Sequence, residues 1–378
     1  MLDLRDPKLV ERLLNRPRRK LLGAADRAVL AGQRVLITGA GGSVGAELAR
    51  EIAACRPAAL AIVDQSEYAL FNLELELSQT SPRLELEPVL ADVTRRRLIR
   101  KVCRLVQPDV VYHAAAYKHV GMLERDACAA VQTNTLGTYY AARAARDVGS
   151  RFVLVSTDKA FSPLSVMGAS KQLAERLVLS LVEQSFRPAV VRFGNVLGSS
   201  GSVVEIMVRS IARGEPIKVT HPKAARFFMS PGEAASLVVL IDVMSTDPGV
   251  YWLDMGTPVE ILQLARRLLA VAHEHGYAPV PIDFCGLRPG EKLTEEFPTS
   301  DVVPSDARTS LIYRLRDDRT PLAAAENVVC ALQGHVARHD GAGALEVLTA
   351  TVPEFVPSPV ARRAARAIPL TVSASRAA

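Results

Sequence analysis

The sequence predicts an α/β protein, a doubly wound parallel sheet with helices on both faces followed by a smaller C-terminal lobe. Three observations predict it. Between Arg34 and about Phe193, short β-branched or apolar runs alternate with amphipathic stretches, the pattern of repeated βα units. Those runs are apolar almost throughout, as strands buried on both faces are. A glycine-rich stretch, Thr38-Gly39-Ala-Gly41-Gly42-Ser43-Val44-Gly45, directly follows the first run.

The elements follow in order. Residues 1–30 read as a helical lead-in. Strands are expected near 34–38, 59–63, 84–90, 109–113, 151–156 and 188–193, which makes 31–200 a Rossmann-like, dinucleotide-binding core. Beyond it the units become irregular: helices near 201–213, 231–246 and 259–275 are separated by loops such as Gly214-Glu-Pro216 and Arg288-Pro-Gly290. Residues 201–355 are therefore expected to form mainly a substrate-binding lobe over the sheet's carboxyl edge, with room for some segments to return to the core. Residues 356–378, with Pro357-Ser-Pro359 and an Ala/Arg-rich end, read as a poorly ordered tail.

Composition narrows the function classes. A chain of 378 residues, 49% hydrophobic and 23% charged, has an ample core for one large or two modest domains. The formal charge of +6 gathers at Arg16-Pro-Arg-Arg-Lys20, Arg95-Arg-Arg97 and Arg362, Arg363 and Arg366. Solvated helix faces and a loose tail account for it, and no nucleic-acid partner is expected. The five cysteines, Cys55, Cys103, Cys128, Cys285 and Cys330, form no C-x-x-C pair, so neither a metal site nor a disulfide framework is indicated. A reducing cytoplasm fits. No apolar run reaches eighteen residues and Met1-Leu-Asp-Leu-Arg5 does not begin a signal peptide, so no integral membrane segment is expected.

Gly39, Gly42 and Gly45 have the spacing in which absent side chains let a tight turn aim helix-terminal N–H groups at a pyrophosphate. Gly41, Ser43 and Val44 complete that cradle. Asp64, 19 residues past Gly45, ends the next strand. Its carboxylate can accept both ribose hydroxyls and would repel a 2′-phosphate, which favours NAD. Asp92 and Val93 end the third strand; Asp92 meets the adenine edge or caps the following helix. Ala114 and Ala115 after the fourth strand are small enough for the cofactor to lie against the backbone.

Lys118 and His119 fall at the carboxyl ends of the strands, as substrate contacts or as satisfied loop residues. The fifth strand delivers Thr157, Asp158 and Lys159 to the same crevice, and a helix starting near Val166 presents Met167 and Lys171 one turn apart. Lys171 can bond the nicotinamide ribose and lower the pKa of nearby hydroxyls, and Thr157 can relay a proton. Elimination of water needs a base for the carbon acid and an acid for the leaving hydroxyl. A desolvated neutral Lys159 and a buried protonated Asp158 supply both, if their environments push both pKa values toward neutrality; otherwise the two simply form a salt bridge.

These blocks, with Arg192-Phe-Gly-Asn195-Val-Leu-Gly-Ser199, Val219-Thr-His-Pro222, Arg226-Phe-Phe-Met229 and Gly286-Leu-Arg288-Pro-Gly-Glu-Lys292, resemble the polysaccharide-biosynthesis group of extended short-chain dehydrogenase/reductases, the UDP-N-acetylglucosamine 4,6-dehydratases. The resemblance spans about 30–355. It implies a closed redox cycle in which NAD takes hydride from sugar C4, water leaves across C5–C6 and hydride returns to C6. It also implies Asp158 as the acid at the C6 hydroxyl, Lys159 as the base at C5, and Thr157 and Lys171 as organisers of C4 oxidation. Asn195 and Arg226 would contact the UDP or sugar, and Arg288 would clamp the pyrophosphate.

Met167 stands where the general short-chain pattern has a tyrosine base, and a thioether cannot take a hydroxyl proton. The subgroup with methionine here resembles configuration-retaining dehydratases often preceded by membrane helices, so this chain looks like a soluble short form or the portion after such helices. Family members pair through helices near 117–148 and 166–186, which implies a homodimer or higher homo-oligomer. Two rival readings remain: a UDP-sugar epimerase of the same fold, and a non-catalytic regulator that binds NAD or nucleotide sugar.

Overall fold

The strands form where the apolar runs predict them. In the computed structural model β1 (Arg34–Thr38), β2 (Ala59–Asp64), β3 (Glu85–Leu90), β4 (Val110–His113), β5 (Arg151–Val155) and β6 (Ala189–Arg192) carry the first half of the chain. The structure describes residues 2–366 apart from 5, 20, 246, 297–301, 307, 308, 316–321 and 323. Met1, Arg5, Lys20 and positions 367–378 of the expected tail thus lie outside the described residues.

The strands align in parallel in the order Gly249–Leu253, β6, β5, β4, β1, β2, β3, and Thr309–Leu315 and Val302–Asp306 extend the far edge antiparallel. Strand order reverses at β1, flanked by β2 and β4. This is the switch point at which open α/β sheets form a ligand crevice at their carboxyl edge. It is the doubly wound sheet expected from the sequence.

Both sheet faces are covered. Helices Ser43–Ala54 and Pro231–Met244 bury Leu48, Ile52, Leu237 and Ile241 on one side with Trp252. Helices Arg96–Val106, Thr138–Asp147 and Val166–Leu179 cover the other with Ile99, Ala142 and Leu173. Each end is set locally. Ser230 and Glu233 form a reciprocal capping box, and the Ser165 hydroxyl accepts from Gly168 N at 3.1 Å.

Residues 201–355 divide between a lobe and the core. Helices Val203–Arg213 and Ile261–Glu274 and strand Ile217–Val219 share a separate apolar cluster with the lead-in helix Pro7–Leu14, whose Leu9, Val10, Leu13 and Leu14 are buried there. Gly249–Leu253 and Thr309–Leu315 join the main sheet instead. Helices Ala325–Ala337 and Gly341–Thr351 return to the core, where Val329, Leu332, Leu345 and Leu348 pack with Val131, Leu173 and Leu177. Part of the expected tail is also ordered: Pro359–Arg366 is helical with Ala361 buried. A polar, arginine-rich surface conceals that one apolar contact from composition.

Candidate active site

β1 delivers the glycine turn to the crevice. Gly39 has φ +69°, and a Cβ on it would stand 2.5 Å from the Ala115 backbone N; a Cβ on Gly45 would overlap Gly39 O. Only glycine lets the turn, the strand-end loop at Ala114–Ala115 and the start of helix Ser43–Ala54 meet this closely. Asp64 Oδ2 accepts from Gly41 N at 2.8 Å and Oδ1 from Ser66 N at 2.9 Å. The Ser43 hydroxyl accepts from Ser200 N at 3.0 Å, closing the loop after Asn195 onto the turn. Asp92 Oδ1 accepts from Thr94 N at 2.8 Å, but the next helix starts only at Arg96 with Arg95 as its cap. The helix-cap alternative for Asp92 is therefore incorrect. Val93 is buried against Gly137.

β5 ends in a tight turn, Asp158–Ala160, capped by Thr157, whose Oγ1 accepts from Lys159 N at 3.3 Å and donates to Asp158 Oδ1 at 2.9 Å. Lys159 Nζ donates to Asp158 Oδ1 at 3.0 Å and to Asn195 Oδ1 at 2.9 Å, and lies 3.5 Å from Glu295 Oε1. Asp158 is fully buried, and its Oδ2 has no hydrogen-bond partner among the described residues. Burial pulls the Lys159 pKa down, but the carboxylates of Asp158 and Glu295 outweigh it and hold the ammonium above the ordinary lysine range. The expected neutral lysine is corrected, and the salt-bridge alternative is the geometry found: Lys159 Nζ pairs with Asp158 Oδ1 with its pKa raised.

Helix Val166–Leu179 reaches this turn because residue 168 is glycine; a Cβ there would overlap Lys159 O. Lys171 Nζ donates to Val155 O at 2.8 Å, and burial lowers its pKa to about 8 despite the opposing pull of Glu175. Glu175 in turn accepts from the Ser156 hydroxyl and from Arg192 in a buried ion pair, which ties the helix to β5 and β6. Met167 is 4% exposed and belongs to the apolar cluster.

The expected substrate contacts divide. Lys118 Nζ lies 3.3 Å from Ser199 Oγ, and burial lowers its pKa. His119 is exposed, with its ring against Gly201, and Arg288 is exposed on its loop. Asn195 holds Lys159. Arg226 differs from expectation: it is buried, and its guanidinium donates to Ala225 O, Leu293 O and Lys292 O at 2.8–3.0 Å. With Glu295 Oε1 3.6 Å away it braces the 292–295 segment.

Sequence reasoning missed Glu295, a carboxylate three residues past the Gly-Glu-Lys292 block with no pattern to mark it. It also missed Asn134, whose amide bonds Tyr117 N, Tyr117 O and Ser170 Oγ from a π-helical turn, Val131–Gly137. Glu124 is a third: it accepts from Val166 N at 2.7 Å and from the Ser358 hydroxyl, so it holds the start of the Lys171 helix. Long sequence separation conceals all three.

A family profile described as polysaccharide biosynthesis protein matches residues 35–316. The chain belongs to that family. The capsular polysaccharide biosynthesis protein CapD of Staphylococcus aureus is 39% identical over 313 residues, 82% of this chain and 52% of CapD. The probable polysaccharide biosynthesis protein EpsC of Bacillus subtilis is 42% identical over 270 residues, 70% of this chain and 45% of EpsC. The chain thus spans about half the length of these two relatives. Among solved structures, Pen from Bacillus thuringiensis superposes with a TM-score of 0.68 at 26% identity, covering 76% of this chain and 90% of Pen. DesIV, a dTDP-glucose 4,6-dehydratase from Streptomyces venezuelae, superposes with a TM-score of 0.62 at 22% identity over 70% of this chain and 88% of its own, a likeness of fold. The short-chain dehydrogenase/reductase resemblance carried by the motifs agrees with this polysaccharide-biosynthesis family. Among the described residues no helix is long and apolar enough to cross a membrane, and no group of three His, Cys, Asp or Glu side chains could hold a metal ion.

Proposed function

We propose that this polysaccharide-biosynthesis protein is an NAD-dependent 4,6-dehydratase of a UDP-linked N-acetylhexosamine, UDP-N-acetylglucosamine first among them. Its product is the UDP-4-keto-6-deoxy sugar with C5 retained, for surface polysaccharide or glycan synthesis. The observation that carries the reading is Lys159 Nζ held by Asp158 and Asn195 beside the Thr157 hydroxyl, with Met167 where a tyrosine base would stand.

The residues at the switch point fit NAD. Gly39, Gly41, Gly42 and Gly45 leave a cradle that a Cβ would fill, Ser43 and Val44 open the helix beneath it, and each Asp64 oxygen keeps a lone pair for a ribose hydroxyl. Asp92 with Val93 fits the adenine edge, and Ala114 and Ala115 fit the flat side of the cofactor. DesIV was crystallised with NAD, and the related fold WbmG of Bordetella bronchiseptica with NAD and UDP. When bound, NAD supplies a reversible acceptor for the hydrogen on sugar C4.

Thr157 relays the C4 hydroxyl proton, and Lys171 steadies the nicotinamide ribose. The Lys159–Asp158 pair is one proton transfer, across 3.0 Å, from the form elimination needs: neutral amine at C5 and carboxylic acid at the C6 hydroxyl. A sugar that excludes water disfavours the separated charges and drives that transfer. Lys118, His119 and Arg288 suit a pyrophosphate, Asn195 touches the sugar, and Arg226 acts through the 292–295 segment. The five free cysteines fit a reducing cytoplasm. An epimerase reading is disfavoured, because epimerisation needs no Asp–Lys pair.

Purified protein mixed with UDP-N-acetylglucosamine in deuterated water, without reductant, should yield a product lighter by one water with a C6 methyl signal and deuterium at C5. Lys159→Ala should lower that rate about 10²- to 10⁴-fold while NAD still binds. An isomer of unchanged composition, or full activity of the variant, would sink the reading.

A further inference from the structure

The site contains one more acid than the proposed reaction uses. Glu295 is 5% exposed, and its Oε1 faces Lys159 Nζ at 3.5 Å and Arg226 Nε at 3.6 Å. Its Oε2 is buried without a hydrogen-bond partner among the described residues. A buried carboxylate with one oxygen unsatisfied is costly, so a loop anchor alone does not explain it. Arg226 already braces the 292–295 segment through two of its backbone carbonyls, Lys292 O and Leu293 O, and does not require Glu295 for that task.

We propose that Glu295 is the positioning residue that makes Lys159 a strong base, by holding Nζ in place and stabilising the ammonium formed when the C5 proton arrives. The proposal rests on the reading of Lys159 as the C5 base. In the 4-keto sugar, breaking the C5–H bond sends the proton to Nζ and leaves the electron pair as an enolate with its charge on the C4 oxygen. As the C4 carbonyl re-forms, the pair moves into C5=C6 and the C6–O bond pair leaves with the hydroxyl, which takes the Asp158 proton. The lysine then carries a new positive charge in a closed site, where Asp158, acting as acid, has given its proton to the departing C6 hydroxyl. Glu295 Oε1 faces both Lys159 Nζ and Arg226 Nε, so its carboxylate supports the ammonium at the step where charge develops. A stronger base is a faster base toward a weak carbon acid. The charged groups facing Nζ are Asp158 on its own turn, Glu295 from the 292–295 segment and Arg226 from the Ala225–Arg226 strand, and neutral Asn195 completes the set. Lys292, the other nearby cation, is turned away to Phe161 O and Glu296.

The test is competitive acylation of the full chain across a pH series, with the midpoint of Lys159 modification read by peptide mass spectrometry. Glu295→Gln should lower that midpoint by about one pH unit or more, whereas Glu295→Asp, which keeps the charge, should restore most of it. Dehydration by Glu295→Gln should fall about tenfold to a hundredfold with unchanged NAD affinity. An unchanged Lys159 midpoint in Glu295→Gln overturns the proposal. Should that variant not fold, Asp158→Asn decides: with Glu295 still facing Nζ the midpoint should stay at or above the ordinary lysine value, and a collapse below it overturns the proposal. Labelling needs no turnover, so it fails or succeeds independently of the product assay that tests the dehydratase itself.

Discussion

At the scale of single residues, burial decides protonation. His113 lies beneath the crevice with Nδ1 2.7 Å from Thr38 Oγ1 and Nε2 3.0 Å from Thr138 Oγ1, and burial, aided by the Lys171 charge, lowers its pKa to about 3. The unfolded chain takes up this proton below its ordinary pKa of 6.5 and the folded chain does not. The contribution is therefore fully present above pH 6.5 and is lost as pH falls toward 3. Denaturant titrations should show about 2–3 kcal/mol less stability at pH 4.5 than at pH 7 from this group, a loss that His113→Gln should remove. Lys171 has the complementary behaviour. With its folded pKa near 8, it gives up its charge as pH rises through 8 while the unfolded chain keeps the proton to about 10.5, so its contribution to stability rises over that window. NAD affinity, measured calorimetrically, should weaken between pH 7 and 9, and Lys171→Arg should flatten that dependence. None of these shifts was legible in the sequence, because each depends on what the fold stacks around the group.

At the scale of elements, two glycine contacts set the site. Gly45 seats helix Ser43–Ala54 on Gly39 O, and Gly168 seats helix Val166–Leu179 on Lys159 O. The Gly45 contact was readable from spacing; Gly168 lies inside a motif whose spacing gives no reason for it, and only the packing does. Gly168→Ala should cost about 1–3 kcal/mol through forced backbone shifts, measured by urea denaturation. It should lower dehydration more than NAD affinity, because the displaced element carries Lys159 and not the glycine turn. Glu124 belongs to the same scale: one buried carboxylate accepts the first N–H of the Lys171 helix and lies 3.2 Å from where a Cβ on Gly290 would stand. The Arg288 loop and the Lys171 helix thus share a support.

At the scale of the molecule, the C-terminal helices pack on the main core. Tyr139 Oη donates to Glu326 at 2.7 Å, Gln333 donates to Tyr140 Oη at 2.7 Å, and Arg176 bonds Thr351 O. Helices within 117–148 and 166–186, the surface through which the family resemblance implies pairing, are thus in contact with this chain's own 325–366 region. Leu348 is completely buried in the shared core. Leu348→Ala should therefore destabilise the chain by about 2–5 kcal/mol in a thermal or urea melt, whereas a loosely held appendage would give almost no change.

The sequence by itself determined the parallel sheet, the glycine turn after β1 and the Thr157-Asp158-Lys159 cluster. Periodicity, glycine spacing and the strand-to-helix order are local, and short connections between adjacent βα units carry them into space. The tertiary structure alone decided the charge on Lys159, the inward turn of Arg226 and the arrival of Glu295 beside it. It also decided that 201–355 divides between a lobe, the sheet and a helical cover. These depend on contacts between residues far apart in the chain, and on the desolvation of charges there, which no short stretch of sequence encodes.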